Sequence, residues 1–200
     1  MVTRVGDMSS PLSEDDRQRI HAVIEEIERR EGIDIAVIVT RLSDRYAAYP
    51  LIWAALLTFS ASALFAVVHP RLLLPIALLI QLLTLTAFAI LLDLRPIRMR
   101  LVPKRTRHRR ANQLAHREFA AHALAADPDR GVILFFASLA ERYFEIIGDK
   151  KIHARMPDRA WETIVAEFTS GTGKHGVASA LCAAITQCGA MLRGKTEAAS

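Results

Sequence analysis

LIWAALLTFSASALFAVV, residues 51–68, and LLLPIALLIQLLTLTAFAILL, residues 72–92, decide how this chain is read. The first run holds 18 residues and the second 21, neither with a charge, and only His69-Pro70-Arg71 separates them. At the helical rise they would extend roughly 27 and 32 Å, against a hydrocarbon core of about 30 Å. Each is long enough to cross a bilayer, and so short a break turns the pair into an antiparallel hairpin. Core helices of a soluble domain would carry a polar stripe. Here the only interruptions are Thr58, Ser60 and Ser62 in the first run and Gln81, Thr84 and Thr86 in the second. A hydroxyl bonds back to its own helix and costs little in lipid.

Outside the hairpin, roughly 150 residues remain, enough for one modest domain with its own core. The net charge of +5 is unevenly spread. Residues 95–110 contain eight Lys or Arg and no acid, so the rest of the chain sums to 5 − 8 = −3. A basic block at a membrane exit acts as a topology determinant and headgroup contact. Its members Arg95, Arg98, Arg100, Lys104 and Arg105 are the expected contacts to lipid. The block lacks interleaved aromatics, and nucleic acid is not an expected partner. No continuous apolar segment resembling a signal peptide precedes residue 31. With Arg41 and Arg45 before the first run and the basic block after the second, both termini and the soluble domain are expected in the cytoplasm of a cell bounded by this inner membrane. Cys182 and Cys188 would then be free thiols.

Ser13-Glu14-Asp15-Asp16 reads as the start of a helix, Ile20, Val23, Ile24 and Ile27 follow at helical spacing, and Gly32 stops it. IDIAVIVT, residues 33–40, is a β-branched run apolar at nearly every position, as for a strand covered on both faces. The hairpin follows directly. A helix is expected over about 107–126, a turn at 127–131, a second apolar strand at 131–138 and a third strand at 142–147. Further helices are expected from near Pro157, carrying Trp161, Ile164, Val165 and Phe168, and after a glycine-rich loop at 170–176. The first two strands should pair parallel across the intervening helix, and the second and third antiparallel across their short link. The fold class is therefore α/β, a small mixed sheet flanked by helices and interrupted by a two-helix transmembrane hairpin. The expected segments are 1–48 (first helix and strand), 49–93 (hairpin), 94–110 (basic linker), 111–194 (rest of the α/β domain) and 195–200 (tail).

Familiar chemical signatures are missing. SGTGKHG, residues 170–176, lacks the first glycine and the final hydroxyl of a phosphate loop and follows a helix rather than a strand. Cys182 and Cys188 stand about 240° apart on a helix, and His108, His116 and His122 are spread around theirs. No H-E-x-x-H, C-x-x-C or G-x-S-x-G occurs. The acids at strand ends remain, with Asp129 before the second strand and Asp149 after the third. The antiparallel pair brings these two to one end of the sheet, where they read first as a solvated turn and otherwise as a seed for calcium or magnesium, which need several oxygens in one place.

Asp129-Arg130-Gly131-Val132-Ile133-Leu134-Phe135-Phe136-Ala137-Ser138, followed by Glu141-Arg142-Tyr143-Phe144-Glu145-Ile146-Ile147-Gly148-Asp149, resembles the core of the TPM-domain family, in which Asp-Asn-Gly leads into a Val-Leu-rich strand and then an Arg-bearing one. The first helix with IDIAVIVT, and the helices around Trp161 and ending at Leu192, are similar to the rest of that domain. The inserted hairpin looks like a membrane-embedded subgroup. The resemblance implies an α/β sandwich tethered to a membrane, in a family linked to accessory roles, calcium binding and acid phosphatase activity. Here Arg130 stands for the motif's Asn, Gly148-Asp149-Lys150-Lys151-Ile152 replaces the family's Gly-Tyr-Gly-Leu-Glu, and of the acidic set Asp129 alone transfers. The expectation is an interaction or accessory module without a cofactor, partnered by membrane lipid and a membrane protein. The alternative is a membrane-bound phosphatase dependent on a divalent metal.

Overall fold

The structure is a computed structural model and describes residues 12–42, 48–68, 74–94, 97, 102–157 and 159–197. The elements in chain order are α1 (Glu14–Glu31), β1 (Ile33–Thr40), α2 (Ala48–Val68), α3 (Leu74–Asp93), α4 (Lys104–Ala125), β2 (Gly131–Ser138), β3 (Tyr143–Gly148), α5 (Lys150–Arg155) and α6 (Ala160–Glu197). They form two compact units, one of Met1–Ser43 with His108–Ser200 and one of Asp44–Arg107.

The first unit is a mixed α/β fold around a three-stranded sheet ordered β1-β2-β3. β1 and β2 are parallel, with Ile33 opposite Gly131 and Thr40 opposite Ser138. β2 and β3 are antiparallel, with Ile133 opposite Gly148 and Ser138 opposite Tyr143. The continuous apolar run GVILFFAS belongs to the central strand, where all eight residues are buried because both faces are covered. Ile133 and Phe135 face the larger core with Ile20 and Ile24 of α1 and Ile164 and Ile185 of α6. Leu134 and Phe136 face a smaller core with Ala36, Ala111 and Ala115. Alternation along the strand thus sends successive side chains into two different layers.

Local signals hold α1 at both ends. Ser13 Oγ accepts from the Asp16 N–H at 3.2 Å, and Glu14, Asp15 and Asp16 occupy the first turn, where the helix dipole favours acids. Gly32 closes the helix at φ 64°, and its N–H donates to Glu28 O; this left-handed conformation is cheap only without a Cβ. Glu31, the last helical residue, is 8% exposed and lies 3.4 Å from both Arg155 and Arg193, joining α1 to α5 and α6.

Several details differ from the sequence reading; the segment expected as a linker to residue 110 is already helical from Lys104, the start of α4. The third strand begins at Tyr143 rather than Arg142, because Arg142 takes φ 50° in the turn and donates its N–H to Leu139 O. An extra short helix, α5, follows β3; Asp149 caps it, its carboxylate accepting the Ile152 N–H. The glycine-rich segment is no loop: α6 stays helical up to a single break at Gly176, φ 82° and ψ 166°. Ser170 and Thr172 hydroxyls there donate to carbonyls of their own helix, and only the last glycine leaves helical geometry.

In the second unit α2 and α3 pack against each other. Thr84 and Thr86 donate their hydroxyls to Ile80 O and Leu82 O one turn back, at 2.8 and 2.9 Å, so neither needs water as a partner.

Candidate functional site

The surface of α2 and α3 is unusual for a protein in water. Phe59 and Leu64 on α2 and Leu74, Leu83 and Ile90 on α3 are all more than half exposed. A monomeric soluble protein rarely leaves an apolar patch larger than a few hundred Å² uncovered. Among the described residues two helices are long and apolar enough to cross a membrane. Leu74–Asp93 has a mean hydropathy of 2.3 and none of its apolar window is buried. Gly176–Gly194, at 1.2, is 44% buried; its Leu181, Ile185 and Leu192 fill the larger core, which marks it as a core helix. Within the described side chains of α2 the apolar stretch Tyr49–Phe65 is shorter, although the helix itself has 21 residues.

Of the expected headgroup contacts, Arg95, Arg98 and Arg100 lie outside the described residues. Lys104 and Arg105 are exposed in the first turn of α4, which follows Pro103.

Asp149 sits where β3 meets the start of β2, but its carboxylate is engaged. Oδ1 accepts the Ile152 N–H at 2.8 Å and Oδ2 the Val132 N–H at 3.2 Å. These two bonds tie the carboxylate to the start of α5 and to β2. Asp129 lies in the exposed turn, its N–H donating to Asp127 Oδ1 at 3.0 Å. Among the described residues no three His, Cys, Asp or Glu side chains gather as a metal ion requires. Cys182 and Cys188 are free, and burial pushes the Cys188 thiol up to about 12, where it is an inert apolar group.

Two polar clusters escaped the sequence reading. On the α4 face of β3, Asn112 Nδ2 donates to Glu145 Oε1 at 3.1 Å, the Tyr143 hydroxyl donates to Glu145 Oε2 at 2.8 Å, and His116 Nε2 lies 3.6 Å from Glu145. Burial, then the Glu145 carboxylate, raises Tyr143 to about 12, so its phenol stays a donor. The spacing of Tyr143 and Glu145, two apart on a strand, was the available signal; Asn112 was not reachable, because helix-to-sheet docking brings it there from 31 residues away.

The second cluster lines a cavity of about 570 Å³ beside the first residues of β1 and β2, among them Glu25, Glu28, Asp34, His122 and Arg130. Arg130 Nη1 bonds Asp34 Oδ1 at 2.9 Å, so the arginine that replaces asparagine in the Asp-Arg-Gly turn has its own acidic partner on the neighbouring strand. Asp34, the one acid within IDIAVIVT, was the sequence signal. Glu28 Oε1 accepts the Ile35 N–H at 2.8 Å. Burial raises the Glu28 carboxyl above 4.5, and neighbouring Asp34 adds to the rise.

A raised carboxyl binds its proton more tightly in the folded chain than in the unfolded one, so stability falls as pH climbs from 4.5 through the folded value. Urea titrations of the full chain at stepped pH should show that decline, and Glu28→Gln should flatten it while keeping an oxygen for Ile35. An equal slope in the variant would remove Glu28 as its source.

No protein-family model matches the chain, and no curated protein matches it. Its fold is similar to the NMR structure of the BA42 protein from the psychrophilic bacterium Bizionia argentinensis, with a TM-score of 0.55 and 12% identity over 94% of this chain and 86% of that one. At that identity the likeness concerns fold alone.

Proposed function

We propose that the chain is an integral protein of a bacterial inner membrane, in which α2 and α3 form a transmembrane hairpin inserted after the first strand of a TPM-like α/β domain. The domain serves as an interaction or accessory module at the membrane surface. The observation that carries this reading is the apolar exterior of α3, 20 residues long with no charge before Asp93 and none of its apolar window buried. In water that surface would be a large standing cost; in hydrocarbon it is the ordinary exterior of a spanning helix. Lys104 and Arg105, with Arg95, Arg98 and Arg100, then meet anionic headgroups, each contributing on the order of 1 kcal/mol. The likeness of fold to BA42 supports an α/β body and nothing about chemistry. The second reading, a membrane-bound phosphatase using a divalent cation and acids near Asp129, would be built on an exposed turn.

Reporters fused after Ser200 test the placement. A reporter that works only in the cytoplasm should be active there, and one that works only beyond the membrane should be silent. The reverse pattern overturns the inside orientation.

A further inference from the structure

The two edges of the sheet are finished differently. Val132 C=O accepts from the Asp149 N–H, so the even-numbered residues of β2 turn their main-chain groups toward β3 and the odd-numbered ones toward β1. Through the pairs Leu134↔Ile147, Phe136↔Glu145 and Ser138↔Tyr143, three residues of β3 spend their main-chain groups on β2. Phe144 and Ile146 direct theirs outward.

On the opposite edge the corresponding N–H of Ile35 is taken by Glu28, and Ile35, Ala36, Val37 and Val39 are buried. That edge is buried, and Glu28 takes one of its outward N–H groups. On β3 all six residues are partly exposed, and among the described residues the outward N–H groups of Phe144 and Ile146 have no hydrogen-bond partner. Proteins guard open edges with lysine, proline or a bulge. YFEIIG has no lysine or proline, and its pairing with β2 runs without a bulge.

We infer that β3 is a docking edge for an extended, acid-flanked segment of another protein, which adds to the sheet as a fourth strand. Charge selects that occupant. Arg142 immediately precedes the strand and Lys150 follows Asp149; both are exposed, and neither has an ion pair among the described residues. They stand at the two ends of the open edge, Arg142 in the turn before β3 and Lys150 at the start of α5. The acid within the strand, Glu145, is already held by Asn112 and Tyr143. A second copy of the chain fits worse. Antiparallel pairing centred on Ile146 crowds Arg142 of one copy and Lys150 of the other at the same end of the joint sheet, centring on Glu145 sets that residue against itself, and centring on Ile147 sets Glu145 against Asp149. Like charges directly opposite destabilise a strand pair. The register centred on Phe144 runs the incoming strand into the 139–142 turn.

The inference deepens the interaction-module reading and rests on it for the existence of a partner, but not on the membrane tether. Full-length chain in detergent therefore tests the edge wherever α2 and α3 reside. The probe is a fluorescent peptide of about nine residues, alternating valine and threonine between paired glutamates at each end. It should bind saturably and slow hydrogen exchange at the Phe144 and Ile146 amides. Arg142→Glu combined with Lys150→Glu should weaken it about tenfold or more and transfer preference to a lysine-ended version. Ile146→Pro should abolish binding, since its N–H is not part of the β2 ladder. Should that variant fail to fold, the charge exchange decides. Equal binding of the lysine-ended peptide to the native chain, or an affinity indifferent to the charge exchange, overturns the inference. So does slow exchange at Phe144 and Ile146 in self-associated chain without peptide.

Discussion

Leu83→Arg, at the middle of α3, is expected to deplete the chain from the membrane fraction that resists alkaline extraction. A cationic side chain at a spanning helix centre costs about 2.5–3.5 kcal/mol on insertion, and 3 kcal/mol corresponds to a partition ratio changed by about a hundredfold. Leu83 is 62% exposed, so its side chain projects away from the rest of the protein. Leu83→Ala serves as the control and should stay embedded. Were water the solvent around α3, replacing an exposed leucine by arginine would cost nothing and improve solubility. An unchanged distribution between pellet and supernatant would therefore sink the tether.

Phe135→Ala is the counterpart inside the α/β unit. Phe135 is fully buried in the central strand, opposite Val37 and Ile146 on its two neighbours and within the larger core. Truncating a core phenylalanine costs about 3–5 kcal/mol, a large share of the roughly 5–15 kcal/mol that holds a domain folded. Urea unfolding followed by Trp161 fluorescence, in a Trp53→Phe background, should show the midpoint collapse or no folded baseline at all. Leu124→Ala, at a residue 89% exposed, should leave the midpoint unchanged. A loss below 1 kcal/mol at Phe135 would mean that β2 is not the packed centre of the sheet.

Most secondary structure was legible because its causes are local. Ser13 and Gly32 delimit α1 through their own capping geometry, and the β-branched run 33–40 is β1 from end to end. Where local signals compete, the reading failed. The glycines at 171 and 173 argued for a loop, yet the helix persists to Gly176, since glycine lowers helix propensity by only about 1 kcal/mol and packing of residues on both sides outweighs it. Asp149 was legible as a strand-end acid, but not as the cap of α5. That role depends on the six residues after it turning helical, which KKIHAR does not announce.

The sequence by itself determined the apolar runs, the strands and the parallel-then-antiparallel order, because hydrophobic period, run length and link length act within a few residues of one another. Only the tertiary structure decided what the polar side chains do. Arg130 meets Asp34, Asn112 meets Glu145, and Glu28 takes the Ile35 N–H at the β1 edge while the outward N–H groups of β3 stay unpaired among the described residues. Those pairings join residues between 7 and 96 positions apart, and their geometry exists only after helices have docked on the sheet.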